Sequence, residues 1–242
     1  MLFRENRKLF FWILITLLVL IICLMVYYFL AFKDFKNQEI KIMGNKIFLP
    51  EHFIKGKLSV LESIKTRRSV RQYTDEPITT KELSTLLYAT QGITSEGKRA
   101  APSAGALYPI ETYIVVNNVK GLEKGLYHYV PEEHGLIIVK TGDLGNDIKK
   151  AGLSQDPLEK AAVDFIWTAV FERTTGKYGE RGIRFIHLEV GHISENLYLQ
   201  ANSMGLGVVA IGGFSDEEVN AFLGVDGEKE SVIYINAVGK KK

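Results

Sequence analysis

The sequence of 242 residues has one cysteine, Cys23. A single thiol excludes an intramolecular disulfide and a thiolate metal site, and it leaves the redox compartment unassigned. Neither sign of charge is in excess: 30 Lys and Arg stand against 28 Asp and Glu. A balance of +2 carries no nucleic-acid signature. Internal repeats and low-complexity tracts are missing, which excludes repeat architectures. A dinucleotide fold is disfavoured too. The spacings Gly205-x-Gly207 and Gly212-Gly213 do not form a G-x-G-x-x-G turn between a strand and a helix. His187 and His192 stand five apart on a predicted helix and fall on different faces. With no cysteine and no third convergent ligand, no metal site is assigned.

What is present begins with an apolar run. Leu9 to Phe32 has no charged residue over 24 positions, and about 20 apolar residues suffice for a membrane-spanning helix. Trp12 near one end and Tyr27 and Tyr28 near the other suit interfacial belts. The run exceeds a signal-peptide core and no small-x-small cleavage site follows it. The expectation is an uncleaved, single-pass anchor inserted in the bilayer through residues 9–32. Arg4, Arg7 and Lys8 before the run nearly balance Lys33, Lys36, Lys41 and Lys46 after it, so the side of the membrane is not assigned. The predicted organisation is an N-terminal tail (1–8), a transmembrane helix (9–32), a linker (33–57) and one domain (58–242).

Within that domain, Thr79 to Glu82 has capping-box spacing ahead of Leu83, Leu86 and Leu87. Glu111–Asn117 reads as a buried strand, and Gly125–Val130 with Gly135–Lys140 as a hairpin. Ala161–Phe171 reads as an interior strand, Glu172–Arg184 as a polar loop and Phe185–Met204 as the longest helix. Val208–Phe214 and Ser231–Val238 read as late strands. Helices and strands are interspersed without a strict βα repeat, so the fold class is α+β.

Two stretches carry candidate chemistry. Arg67-Arg68-Ser69-Val70-Arg71 places three guanidiniums and a hydroxyl within five residues. Arginine's planar fork matches phosphate and carboxylate oxygens. In an extended segment Arg67, Ser69 and Arg71 would share one face, with Arg68 opposite. Arg99 to Pro109, with Pro102, Ser103, Gly105 and Tyr108, is small and bracketed by proline. Its backbone can approach a flat ligand closely. Glu189, Glu195 and Tyr198 read as helix-face charges and a core aromatic.

Taken together, Arg-Arg-Ser-x-Arg-x-Tyr and Pro-Ser-Ala-Gly-Ala-Leu-Tyr-Pro resemble the nitroreductase family, and within it the SagB-type dehydrogenases. Gly125-Leu-Tyr-His-Tyr129, Lys177-Tyr-Gly-Glu-Arg-Gly182, Leu188-Glu-Val-Gly-His192 and Asn196-Leu-Tyr-Leu-Gln-Ala201 are similar to family runs in the same order. The resemblance covers about Ser59 to Gly239. It implies an α+β sandwich binding FMN non-covalently at a homodimer interface. By carry-over, Arg67, Arg68, Ser69 and Arg71 hold the FMN phosphate, ribityl chain and pyrimidine edge. Pro102, Ser103 and Gly105 lie along the isoalloxazine, and Gly212 and Gly213 run beside the ring. Lys240 or a neighbour meets the phosphate.

The resemblance further implies that Lys177 and Tyr178 handle protons in the oxidation of an azoline to an azole in a modified peptide. An alternative is an NAD(P)H-dependent reductase of nitroaromatics or quinones. A third is a non-enzymatic flavin-binding or interaction module.

Overall fold

The protein is described by a computed structural model over residues 16–27, 41–53 and 56–242. It divides into two units, Met1–Glu39 and Ile40–Lys242. In the first, residues 16–27 form a helix, α1, with its apolar side chains exposed. This corrects the expected transmembrane helix and, with it, the single-pass membrane localisation. Among the described residues, no helix is long and apolar enough to cross a membrane. Twelve helical residues span about 18 Å, against a hydrocarbon core of about 30 Å. Residues 9–15 and 28–32 of the apolar run lie outside the described residues.

The second unit is built on an eight-stranded sheet. Its strands are β1 (Lys41–Met43), β2 (Lys46–Phe48), β6 (Ile110–Val116), β8 (Gly125–Val130), β9 (Gly135–Thr141), β10 (Val163–Val170), β11 (Leu206–Ile211) and β12 (Glu230–Lys240). The order is β1-β2-β9-β8-β6-β10-β12-β11, and each neighbouring pair is antiparallel. Two small sheets pair β3 (Ile78–Thr79) with β7 (Val119–Lys120) and β4 (Ile93–Ser95) with β5 (Lys98–Arg99). The hairpin β1–β2 falls in a stretch whose composition reads as linker, yet it extends the sheet through β9.

The helices are α2 (Val60–Thr66), α3 (Thr80–Gln91), α4 (Gly145–Ala151), α5 (Asp156–Lys160), α6 (Glu172–Tyr178), α7 (Arg181–Ser203) and α8 (Asp216–Leu223). Period-2 alternation on the central strands divides the core in two. Phe165 and Trp167 of β10 and Ile114 of β6 pack with Leu83, Leu86 and Leu87 of α3 and Ile186, Val190, Ile193 and Leu197 of α7. Ile166 and Val115 pack on the other face with Ile148 of α4, Leu158 of α5 and Val219 and Leu223 of α8. The result is an α+β sandwich with a helical layer on each face.

A buried polar chain fixes α7 on the sheet. Trp167 Nε1 donates to Asn236 Oδ1 at 2.7 Å, and Asn236 Nδ2 donates to Ser194 Oγ at 2.9 Å. Satisfied in this way, the buried polar groups specify one docking position.

The stretch Glu172–Arg184, expected as a loop, is helix α6 followed by the start of α7. Gly179, at φ +56°, ends α6. Gly182 allows α7 to pack on α6, because a Cβ there would lie 3.0 Å from the Thr175 backbone nitrogen. Packing between the two helices, rather than helix propensity, holds this turn of chain.

Candidate functional site

The arginine stretch begins where α2 ends. Its first helical turn is capped by Ser59 and Glu62, and the Arg67 N–H closes the last turn onto Ser63 O at 2.9 Å. The chain then runs beside β11. Ser69 pairs in parallel with Val208, and Val70 N–H donates to Val208 O at 2.8 Å. Gly207 makes this approach possible, since a Cβ there would stand 2.7 Å from Val70 Cβ.

Arg67 and Ser69 converge on Tyr198 of α7. The Arg67 guanidinium lies 5.1 Å from the ring centroid, and Ser69 Oγ is 3.1 Å from the phenol oxygen. That oxygen also accepts the Ala210 N–H at 2.8 Å. Tyr198 is therefore buried, as expected, but its hydroxyl joins the arginine stretch to β11. The one-face expectation does not hold for Arg71. With Val70 packed on the core, Arg71 lines a cleft of about 690 Å³ with Gln155, Lys160, Ile211 and Lys242. Arg68 folds back, donating to Arg67 O at 2.6 Å and Lys65 O at 3.2 Å.

Gly212 and Gly213 follow β11 and are exposed; Gly213 O accepts from Gln155, which lines the Arg71 cleft. Lys240 turns away, with Nζ 2.6 Å from Glu82 of the α3 capping box. Lys241 instead reaches Asn202 at 2.9 Å, and Asn202 in turn holds Ser63 O and Thr66 Oγ1 at the end of α2. Lys241 and Lys242 are thus the late cations beside the arginine stretch.

This donor set fits a phosphate-bearing group. Among the described residues, Arg68 and Arg71 form no carboxylate ion pair, and Arg67 meets one only at 4.0 Å, with Glu195. Guanidiniums left without close carboxylates retain their fork for an external anion.

The second cluster lies on the loop before β6. Gly105, Ala106 and Tyr108 all have left-handed backbone, at φ +65°, +54° and +47°. The two non-glycine residues cost roughly 1–2 kcal/mol each and need external restraint. Tyr108 N–H donates to Ser103 Oγ at 2.9 Å, Tyr108 Oη accepts from Arg99 N–H at 3.2 Å, and Tyr108 O accepts from Arg173 at 3.1 Å. Arg173 is held by Glu111 at 2.5 Å, and Glu111 also meets His128 Nε2 at 2.8 Å. Burial pushes the Glu111 carboxyl up, but His128 and Arg173 outweigh it and hold it below the usual carboxylate range.

Lys177 and Tyr178 end α6 against this loop. A Cβ on Gly105 would lie 2.8 Å from Tyr178 Oη and 3.1 Å from Lys177 Nζ. Tyr178 is set by an edge contact with Phe185, centroids 5.2 Å apart. Pro102 is exposed beside Ser103.

Sequence reasoning missed Glu189. It is 3% exposed and faces the loop rather than solvent. Burial raises its carboxyl to about 7, opposed by a hydrogen bond with Ser103 and by the charge of Arg99. The signal was its helical phase: Ile186, Glu189, Val190 and Ile193 share the buried face of α7. His187 and His192 are exposed on the same helix.

The two clusters do not meet within one chain. Tyr198 and Glu189 sit nine residues apart on α7, about 13 Å along its axis.

Sandwich, arginine stretch and strained loop together define an oxidoreductase of one class. The nitroreductase family profile matches residues 64–240, and the chain belongs to that family. The chain is 43% identical over 176 residues to a nitroreductase of Methanocaldococcus jannaschii, covering 72% of this chain and 87% of that one. It is 30% identical over 134 residues to the microcin B17-processing protein McbC of Escherichia coli, covering 53% of this chain and 49% of that one. A solved nitroreductase structure from Anabaena variabilis superposes with a TM-score of 0.71 at 31% identity, over 81% of this chain and 42% of that one. The chain therefore spans about half or less of the last two proteins.

Proposed function

We propose that the protein is an FMN-dependent oxidoreductase in which Arg67, Arg68, Ser69 and Arg71 bind the cofactor. The observation that carries this reading is the arginine stretch, beside Lys241 and Lys242, with guanidinium groups left open to an anion. Bound flavin would supply hydride acceptance and donation at its N5; the protein would supply anion binding and ring placement. Gly212 and Gly213 leave the end of β11 bare for a flat ring, and Pro102, Ser103 and Gly105 offer a second bare surface.

Lys177 and Tyr178 are the proton-handling pair, placed over Gly105 where a substrate on the loop would lie. In azoline oxidation one of them would take the ring-carbon proton as the hydride leaves. This peptide-oxidising reading is supported by the likeness to a microcin-processing protein. A second reading, NAD(P)H-driven reduction of nitroaromatics or quinones, is favoured by the nitroreductase of M. jannaschii, of which this chain covers 87%.

The 13 Å separation of the two clusters along α7 supports a homodimer in which one copy contributes the arginine stretch and the other the Lys177 loop. Val60 and Leu61 of α2, 71% and 74% exposed, and Leu188 of α7 offer apolar surface for the second copy. The reaction is tested by supplying flavin-loaded protein with NADPH and a nitroaromatic in one assay, and with an azoline-containing peptide in another. Turnover in neither would leave the flavin-binding module.

A further inference from the structure

Lys177 and Tyr178 sit on a helix with little to fix it from within. Helix α6 has seven residues, no side-chain cap at its start, and Thr174, Thr175 and Gly176 in its middle. Its place must come from contacts outside it. The last turn meets the 103–108 loop where Gly105 leaves room for Lys177 and Tyr178. The first turn meets the same loop through Arg173, whose Nη1 donates to Tyr108 O at 3.1 Å. Arg173 and Lys177 stand four apart, so both project from one side of α6.

The Arg173 end is tied to the central sheet. Its Nη1 also pairs with Glu111 Oε1 at 2.5 Å, and the other Glu111 oxygen, Oε2, lies 2.8 Å from His128 Nε2. Glu111 and Tyr113 share a face of β6. Tyr113 stands opposite His128 of β8, with the two rings 4.8 Å apart. Glu111, its side chain 15% exposed, thus has both oxygens engaged. Tyr108 is strained at φ +47°, so the direction of its carbonyl depends on what holds it.

We propose that Arg173 is a positioning residue: held by Glu111 on the central sheet, it sets through the Tyr108 carbonyl how closely the 103–108 loop meets Lys177 and Tyr178. This rests on the reading of Lys177 and Tyr178 as the proton-handling pair. The sheet is the fixed reference, and the loop and α6 are both registered to it by one guanidinium. Without that group Tyr108 O loses a donor and Glu111 loses its cation. The loop then relaxes towards ordinary backbone angles, and Gly105 shifts against the Tyr178 hydroxyl. A substrate lying on the loop would be presented to Lys177 and Tyr178 at a changed distance, which affects the chemical step more than binding. The arginine stretch takes no part in these contacts, so flavin binding is separate.

The test uses the whole chain and has two arms. In the first, without flavin, the Gly105 amide and the Tyr178 ring are followed by NMR in the wild type, Arg173→Met and Arg173→Lys, with the buried Phe165 ring as the control for folding. Both site signals should shift in Arg173→Met and return most of the way in Arg173→Lys, which keeps a charged donor, while Phe165 stays in place. In the second arm, flavin-loaded protein is assayed with whichever of the nitroaromatic and azoline substrates the wild type turns over. The kcat should fall about tenfold in Arg173→Met, with KM and flavin content unchanged; a merely structural loss would lower flavin content as well. Glu111→Gln loosens the same guanidinium, should move the same signals, and decides the matter if Arg173→Met does not fold. Unmoved Gly105 and Tyr178 signals in a folded variant overturn the proposal, and so does an unchanged kcat. A wild type that turns over neither substrate would sink the proton-handling reading, while the first arm would still decide whether Arg173 places the loop against α6.

Discussion

Gly105 and Tyr178 approach so closely that a Cβ on residue 105 would lie 2.8 Å from the Tyr178 hydroxyl. The glycine also holds φ +65°. Gly105→Ala should therefore displace the Tyr178 and Lys177 tips while leaving the fold intact. Left-handed backbone at alanine costs about 1 kcal/mol, so thermal stability should fall by a few degrees. Turnover should fall about tenfold or more, since sub-ångström misplacement of reacting groups is costly. Paired melting and kcat measurements check both.

Lys177→Met and Tyr178→Phe separate proton handling from cofactor binding. Each should lower turnover by about 10²–10⁴ if it removes the general acid or base. Flavin content should be unchanged, because neither residue touches the arginine stretch. Single-turnover kinetics on flavin-loaded variants measures this, and loss of flavin from either variant would count against the assignment.

Glu111 should make the fold acid-sensitive. His128 and Arg173 keep its carboxyl below the usual range against the opposing effect of burial. A carboxylate with a depressed folded value stabilises the protein above its unfolded value, and the contribution disappears as pH falls through the folded value. Glu111→Gln should cost about 1–3 kcal/mol at pH 7 and progressively less below pH 4. Urea unfolding at the two pH values gives the difference. The same variant frees Arg173 from its anchor, so Tyr108 should lose its restraint at φ +47°.

A second acid response comes from the turn between β8 and β9. His134 Nδ1 is 2.8 Å from Tyr129 Oη, and its Nε2 is 2.8 Å from Ser84 Oγ, which donates to Pro50 O. With Ser84 donating to Pro50, Nε2 must carry the ring hydrogen and Nδ1 accepts from Tyr129. Burial, helped by nearby His52, lowers His134 to about 4. The unfolded chain protonates this residue first, so stability should decline as pH falls from about 6.5 towards 4. Ser84→Ala should weaken the attachment of residues 50–53 and cost about 1–3 kcal/mol. Amide exchange of Phe53, whose N–H donates to Thr85 Oγ1 at 3.0 Å, reports the local loosening.

Much of this architecture is written locally in the chain. Thr79 and Glu82 cap α3 reciprocally, as their spacing demands. Phe165, Ile166 and Trp167 alternate between the two cores, as an interior strand must. Helix α6 was hidden because Gly176 and two threonines give it poor propensity, and its stability comes from contact with α7. Arg71 departs from Arg67 and Ser69 because Val70 is drawn onto Gly207, a long-range contact with no local signature. Glu189 stood out of phase with a charged face, but only the folded chain shows how deeply it is buried. The apolar run misled in a different way: composition sets hydrophobicity, whereas a span also requires a helix of sufficient length, and among the described residues the run is helical over 16–27.

The most direct test of the arginine stretch is the visible spectrum of the purified 242-residue chain, followed by analysis of the supernatant after heat release. The expected result is a yellow protein carrying about one FMN per chain, with colour lost in Arg67→Ala and in Arg71→Ala while both variants remain folded. A folded wild-type protein that is colourless and takes up no added FMN would contradict the assignment of this stretch as a flavin site.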